Sequence, residues 1–141
     1  ALILQEGQAK EGVLEARSLI EARGLKIGLA TSSPFTMVEA VLGKLGIQDR
    51  FMAVHSAEVE RFGKPHPDVY IHAAEKLGVE PVHCLAIEDS FTGLLAAKAA
   101  SMLALIVPDP ALVGDPRLAI ADHQLRSLAE LDADMLARWV G

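Results

Sequence analysis

Three short stretches of this chain place polar and charged side chains directly after an apolar run or inside a stiffened loop. In "CLAIEDSFTG", residues 84–93, the apolar run leads straight into Glu88 and Asp89. Paired carboxylates are hard oxygen donors suited to Mg²⁺, which takes one or two of them, keeps several waters and meets substrate phosphate. A helix following them needs only one cap, Asp89 or Ser90, so the remaining acid has to be solvated or paired. Gly93, in the first turn of that helix, allows backbone or ligand to approach closely. In "GLATSSP", residues 28–34, Thr31, Ser32 and Ser33 stand between a strand pattern and a helix start. Hydroxyls and N–H groups at the positive end of a helix seat phosphate well, although plain capping by Ser33 accounts for the same residues. In "GKPHPDVY", residues 63–70, Gly63 loosens the backbone while Pro65 and Pro67 stiffen the loop around Lys64. That lysine is either a fixed point charge for phosphate or a solvated turn residue. Together the three stretches hold hydroxyl donors, a lysine and metal-binding acids, which is equipment for phosphoryl transfer without a nucleophile.

Alternating elements must position these groups. Apolar residues of "EGVLEARSLIEARG" cluster on one helical face, and the pattern stops at Gly24. "LKIGLA" reads as a buried strand, and "TSSPFTMVEAVLGKLGI" as a loop and then a helix with Ser33 as N-cap and Pro34 at its first position. "FMAVHSA" is a weak strand, "DVYIHAAEKLG" an amphipathic helix ended by Gly78, "HCLAIE" a strand, "SFTGLLAAKAA" a helix and "MLALIV" another strand. "HQLRSLAEL" holds a last short strand and "DADMLARWV" a last helix. Strands that alternate with helices and stay apolar throughout imply parallel pairing with both faces covered. The expected fold is an α/β, Rossmann-like, doubly wound parallel sheet, in which ligands bind beyond the carboxyl ends of the strands.

Composition narrows the function. The chain has 141 residues, 51% apolar and 23% charged, within the range of one globular domain with its own core. A net charge of −6 argues against a nucleic-acid binder working through a basic face, and it means that an anionic substrate needs local positive charge. No apolar run approaches the length of a membrane span. A single cysteine, Cys84, cannot form an internal disulfide, so a soluble cytoplasmic protein is expected. Cys84 reads as a small core residue, Trp139 as packing for the last helix, and His66 as a surface imidazole. The five histidines show no metal-ligand spacing.

The order and wording of "GLATSS", "GKPHPDVY" and "LAIEDSFTG" resemble the second, third and fourth motifs of the haloacid dehalogenase superfamily of phosphohydrolases. The resemblance runs from about Glu11 to Pro108 and is strongest to the β-phosphoglucomutase-like branch, which includes 2-deoxyglucose-6-phosphatase-like enzymes. It implies that Thr31 holds the transferring phosphoryl group with the Ser32 N–H beside it, and that Lys64 neutralises charge between phosphate and nucleophile. It implies further that Asp89 ligates Mg²⁺ while Glu88 supports the metal site. Family chemistry passes through a covalent aspartyl-phosphate. The expected activity is that of a Mg²⁺-dependent phosphatase acting on a small sugar or polyol phosphate. A sugar phosphomutase and a non-catalytic phosphate-binding or assembly module are the alternatives.

The chain also departs from the family. The first motif, an apolar strand ending in Asp-x-Asp-Gly, is absent. "LDADML", with Asp132 and Asp134, has neither the strand before it nor the glycine after it, and reads as a helix N-terminus. "KEGV" stands where relatives have Pro-Gly-Val. The expectation is therefore a partial core over 1–141, with residues 1–10 as the end of a helical cap, lacking the family's first central strand. Strands 26–30 and 84–88 should flank the gap, and unpaired buried edges are costly. A companion N-terminal fragment, a second chain or an internal rearrangement is expected to fill it. Without the acceptor aspartate, the chain alone is expected to be inactive.

Overall fold

The computed structural model describes residues 2–5, 13–46 and 51–140, the side chains of residues 2–5, 13, 14 and 45 excepted. Six parallel strands form one sheet in the order β3-β2-β1-β4-β5-β6. They are β1 (Leu2–Gln5), β2 (Ile27–Thr31), β3 (Ala53–Ser56), β4 (Leu85–Glu88), β5 (Leu103–Ile106) and β6 (His123–Gln124). The helices are α1 (Val13–Ala22), α2 (Phe35–Leu45), α3 (Asp68–Leu77), α4 (Phe91–Ala99) and α5 (Ala133–Val140). This is the expected doubly wound architecture, with strand order reversing about the centre.

At the centre of the sheet the gap is closed from within the chain, which is one of the three ways expected. Strands β2 and β4 do flank one position, but the chain fills it with its own residues 2–5. Leu2, Ile3 and Leu4 are in register with Ile27, Gly28 and Leu29 on one side and with Leu85, Ala86 and Ile87 on the other. Among the described residues the facing edges of β2 and β4 are thus paired by the chain itself. Residues 2–5 form a strand; residues 6–10 lie outside the described residues. A strand next to two parallel neighbours satisfies its N–H and C=O groups on both sides, which a lone helical turn at that position cannot do.

Each face of the sheet carries its own core. Large aliphatic residues Ile27, Leu29, Leu85, Ile87 and Leu105 face Ile20, Val38, Leu42 and Leu136 from α1, α2 and α5. Small residues Ala30, Ala86 and Ala104 face α3 and α4. The difference sets how closely the helices lie. A Cβ on Gly28 would stand 2.9 Å from Leu77 Cδ1, so glycine lets α3 settle onto β2. Helix α3 ends at Gly78, whose φ of +70° suits glycine, and Lys26 Nζ donates to the Leu77 carbonyl at 3.0 Å. Close seating of α3 carries the preceding lysine loop to the carboxyl ends of the strands.

Other expectations hold locally. Asp132 Oδ1 accepts from the Met135 N–H at 2.9 Å, so "LDADML" is a helix start. Trp139 stacks on His123 with centroids 4.0 Å apart, and Cys84 is buried beside β4. The "PDPALVGDP" loop contains short 3₁₀ turns, each begun by an aspartate, Asp109 and Asp115, that caps its own first N–H groups.

Candidate active site

Thr31 is the last residue of β2 and is fully buried. Its Oγ1 accepts the Ser33 N–H at 3.0 Å, which curls the chain away from the sheet. Ser32, beside it, is exposed. The helix start differs from expectation. Pro34, not Ser33, is the N-cap of α2, and it offers no side-chain cap. The Phe35 N–H is instead taken by Glu58 Oε2 at 2.9 Å. Ser56, in register with Thr31, donates from Oγ to the Ser33 carbonyl at 2.5 Å and so anchors the same loop. Sequence reasoning missed Ser56 and Glu58 because both act across the sheet, 23 residues away.

Lys64 is not a solvated turn residue. Its side chain is 5% exposed, and Nζ donates to Glu88 Oε1 at 2.9 Å. A longer contact of 3.5 Å reaches the Ala30 carbonyl, and Nζ lies 5.0 Å from the centre of the Tyr70 ring. Tyr70, fully buried at the start of α3, was not singled out from the sequence, although it closes the same "GKPHPDVY" stretch. His66 is half-exposed beside Phe62, as expected of a surface imidazole.

Glu88 ends β4 with no exposed surface. Burial raises its carboxyl pKa to about 7, against the Lys64 charge, which lowers it. Burial and then the Glu88 charge drive the Tyr70 phenol well above its ordinary value. Glu88 Oε2 and the Tyr70 hydroxyl are both buried without a hydrogen-bond partner among the described residues. The Glu88 carboxyl occupies the space that a side chain on α4 would need. A Cβ on Gly93 would stand 1.7 Å from Oε2, so only glycine fits there. Ser90 caps α4, with Oγ accepting the Gly93 N–H at 3.1 Å. Asp89 therefore has no capping duty; it is partly exposed at the strand's end, and its carbonyl accepts the Asp109 N–H at 3.0 Å.

Thus Lys64 joins Glu88 directly, and the Ala30 contact ties both to the β2 end that carries Thr31. An orphaned buried carboxylate oxygen beside a second, partly exposed acid fits a small hard cation. At the centre of the same edge, Gln5, the last residue of β1, is in register with Ala30.

Two of the histidines, which show no metal-ligand spacing in sequence, converge in the fold. His55 on β3 and His72 on α3 both bring a ring nitrogen to one oxygen, Glu60 Oε1. Their spacing of 17 residues hides this, because only the packing of α3 on β3 brings them together.

The described residues thus place a hydroxyl, a lysine and two acids at the carboxyl edge of a parallel α/β sheet. The chain matches the family model for haloacid dehalogenase-like hydrolases over residues 1–101, and it belongs to that family. It is 48% identical over 122 residues to hexitol phosphatase B of Escherichia coli strain K12, across 86% of this chain and 55% of that protein. It is 37% identical over 117 residues to β-phosphoglucomutase of Bacillus subtilis strain 168, across 83% of this chain and 49% of that protein. The crystal structure of β-phosphoglucomutase from Clostridium difficile superposes with a TM-score of 0.80 at 27% identity, covering 92% of this chain and 55% of that one. The chain spans about half the length of the curated relatives it matches.

Proposed function

We propose that this chain is the phosphate- and metal-binding part of a longer Mg²⁺-dependent phosphatase that acts on a small sugar or polyol phosphate. One observation carries the reading: the buried Lys64–Glu88 pair, with Asp89 next to it, is linked to the strand end that carries Thr31. In this reading Thr31 donates its hydroxyl to a phosphoryl oxygen, and the exposed Ser32 segment offers backbone N–H beside it. Lys64 supplies the local positive charge that an anionic substrate needs on a chain of net charge −6. Its ammonium is held in place by Glu88, so no reorganisation is needed when phosphate arrives. Asp89 and Glu88 are the residues that would hold Mg²⁺, whose chemistry there is to offset charge on the phosphoryl oxygens. Tyr70 and Gly93 position that pair, Tyr70 by covering Lys64 and Gly93 by leaving room for Glu88.

The phosphoryl acceptor is an aspartate of the longer protein, and Gln5 cannot replace it, since a carboxamide is not a carboxylate nucleophile. The 141-residue chain alone therefore turns over no substrate. The relative named hexitol phosphatase B favours hexitol phosphates as substrates, while the relatives named β-phosphoglucomutase favour a mutase that returns the phosphoryl group to sugar. Following the phosphorus of a hexitol phosphate and a hexose phosphate by ³¹P NMR, with the longer protein and Mg²⁺, separates the two. Inorganic phosphate marks a phosphatase and a transposed sugar phosphate marks a mutase. Neither product, despite bound Mg²⁺, would favour a non-catalytic phosphate-binding module and refute the proposal.

A further inference from the structure

We propose that His55, Glu60 and His72 form a separate site for a transition-metal dication of the zinc class. The three residues come from different elements: His55 from β3, Glu60 from the loop after it, and His72 from α3. Their ligand atoms all lie within 4.8 Å of one another. His72 Nδ1 is 2.6 Å from Glu60 Oε1, and His55 Nε2 meets the same oxygen. The rings stand edge to face, 80° apart, so two imidazole nitrogens aim at one point from different directions. Two histidines and a carboxylate are the donor set of an open zinc centre, with water as the fourth ligand. Imidazole donors select zinc, nickel or copper over Mg²⁺.

Burial suits this role. The side chains of His55 and Glu60 are each 6% exposed, whereas His72 is 40% exposed and gives a path from solvent. Without metal, two N–H groups share one carboxylate oxygen, and the buried His55 Nδ1 has no partner among the described residues. On binding, the dication takes the place of both shared protons. His72 keeps one proton on Nε2, any second proton going to solvent, and ligates through Nδ1, while His55 carries its own on Nδ1, leaving Nε2 to ligate. The hydrogen bond to Glu60 raises the His72 pKa despite its burial, so protons compete for the site as pH falls. Burial works to raise Glu60, but the bonds from His55 and His72 outweigh it and hold the carboxylate ionised. None of the three residues belongs to the Lys64–Glu88 cluster. A bound metal would tie β3 to α3 across the loop that carries Lys64.

The test is zinc titration of the 141-residue chain against a chromophoric chelator, with Co²⁺ as a spectroscopic probe. The expected result is one tight site with a tetrahedral Co²⁺ absorption spectrum. His72→Ala and Glu60→Gln should each lower zinc affinity at least about tenfold, and His83→Ala, at an exposed histidine, should leave it unchanged. His72 is partly exposed, so its variant keeps the fold, which circular dichroism checks. No tetrahedral Co²⁺ spectrum in the wild type, or equal zinc affinity in wild type, His72→Ala and Glu60→Gln, would overturn the proposal and leave the cluster as a proton-sharing ion pair. Neither outcome depends on whether the longer protein is a phosphatase.

Discussion

Lys64 and Glu88, 24 residues apart in sequence, form an ion pair 2.9 Å long, with 5% and none of their side-chain surface exposed. Both charges are out of water, so each depends on the other. Removing one partner of such a pair leaves an uncompensated buried charge, at a cost of about 3–5 kcal/mol. Lys64→Met should therefore destabilise the fold by this order in urea denaturation near neutral pH. Glu88→Gln leaves the Lys64 ammonium buried without its counter-charge and should cost a similar amount. A stability equal to the wild type's in either variant would contradict this mutual dependence.

Glu88 also makes a pH prediction with a definite sign. Its folded-state pKa is raised from 4.5 to about 7, so between these values the folded chain binds more protons than the unfolded chain. Its contribution to stability is therefore fully present below about pH 4.5 and is lost as pH rises through about 7. The size is on the order of 3 kcal/mol at most. Urea midpoints at about pH 5 and about pH 8 should differ in this direction for the wild type, and the difference should shrink in Glu88→Gln. Parallel pH profiles would refute the assignment.

Gly93→Ala sets two effects against each other. Alanine favours a helix interior by about 1 kcal/mol over glycine, but its Cβ would stand 1.7 Å from Glu88 Oε2. Overpacking of this kind costs about 1–3 kcal/mol, and here the obstacle is a buried carboxylate held by Lys64. The clash should win, so the variant unfolds at lower urea concentration. A more stable variant would show that the Glu88 side chain does not lie against α4.

The central strand can be tested alone. Leu4 is paired on both sides, with Leu29 and Ile87. Leu4→Pro removes a ladder donor inside a central strand, a position proline does not tolerate. It should lower stability by about 3 kcal/mol or more and expose edges that associate, seen as larger species on gel filtration. An unchanged, monomeric, equally stable variant would place residues 2–5 outside the sheet.

The parts of the fold read from the sequence are those fixed by local chemistry. Gly24 and Gly78 end helices because their φ values of +71° and +70° suit glycine, and "LAIEDS" shows strand, acids and cap within six residues. What escaped depends on distant packing. "LILQ" is too short to declare itself, and its strand character comes from the open place between β2 and β4. The cap on Phe35 comes from Glu58, across the sheet, so Ser33 looked sufficient. Lys64 is legible as a charge in a stiffened loop, but its Glu88 partner is not, because nothing beside it in sequence shows that α3 seats its loop over Glu88. His55, Glu60 and His72 met no spacing rule because a strand, a loop and a helix each supply one.

The most direct test of the functional account is Mg²⁺-dependent phosphate release from hexitol and hexose phosphates. It compares the longer protein, its Asp89→Asn variant and the pure 141-residue chain. The account predicts turnover by the longer protein, a loss of about 10²-fold or more in Asp89→Asn, and none by the 141-residue chain, whose β1 ends on Gln5. Phosphate release by the 141-residue chain, or an Asp89→Asn protein with unchanged metal dependence, would contradict it.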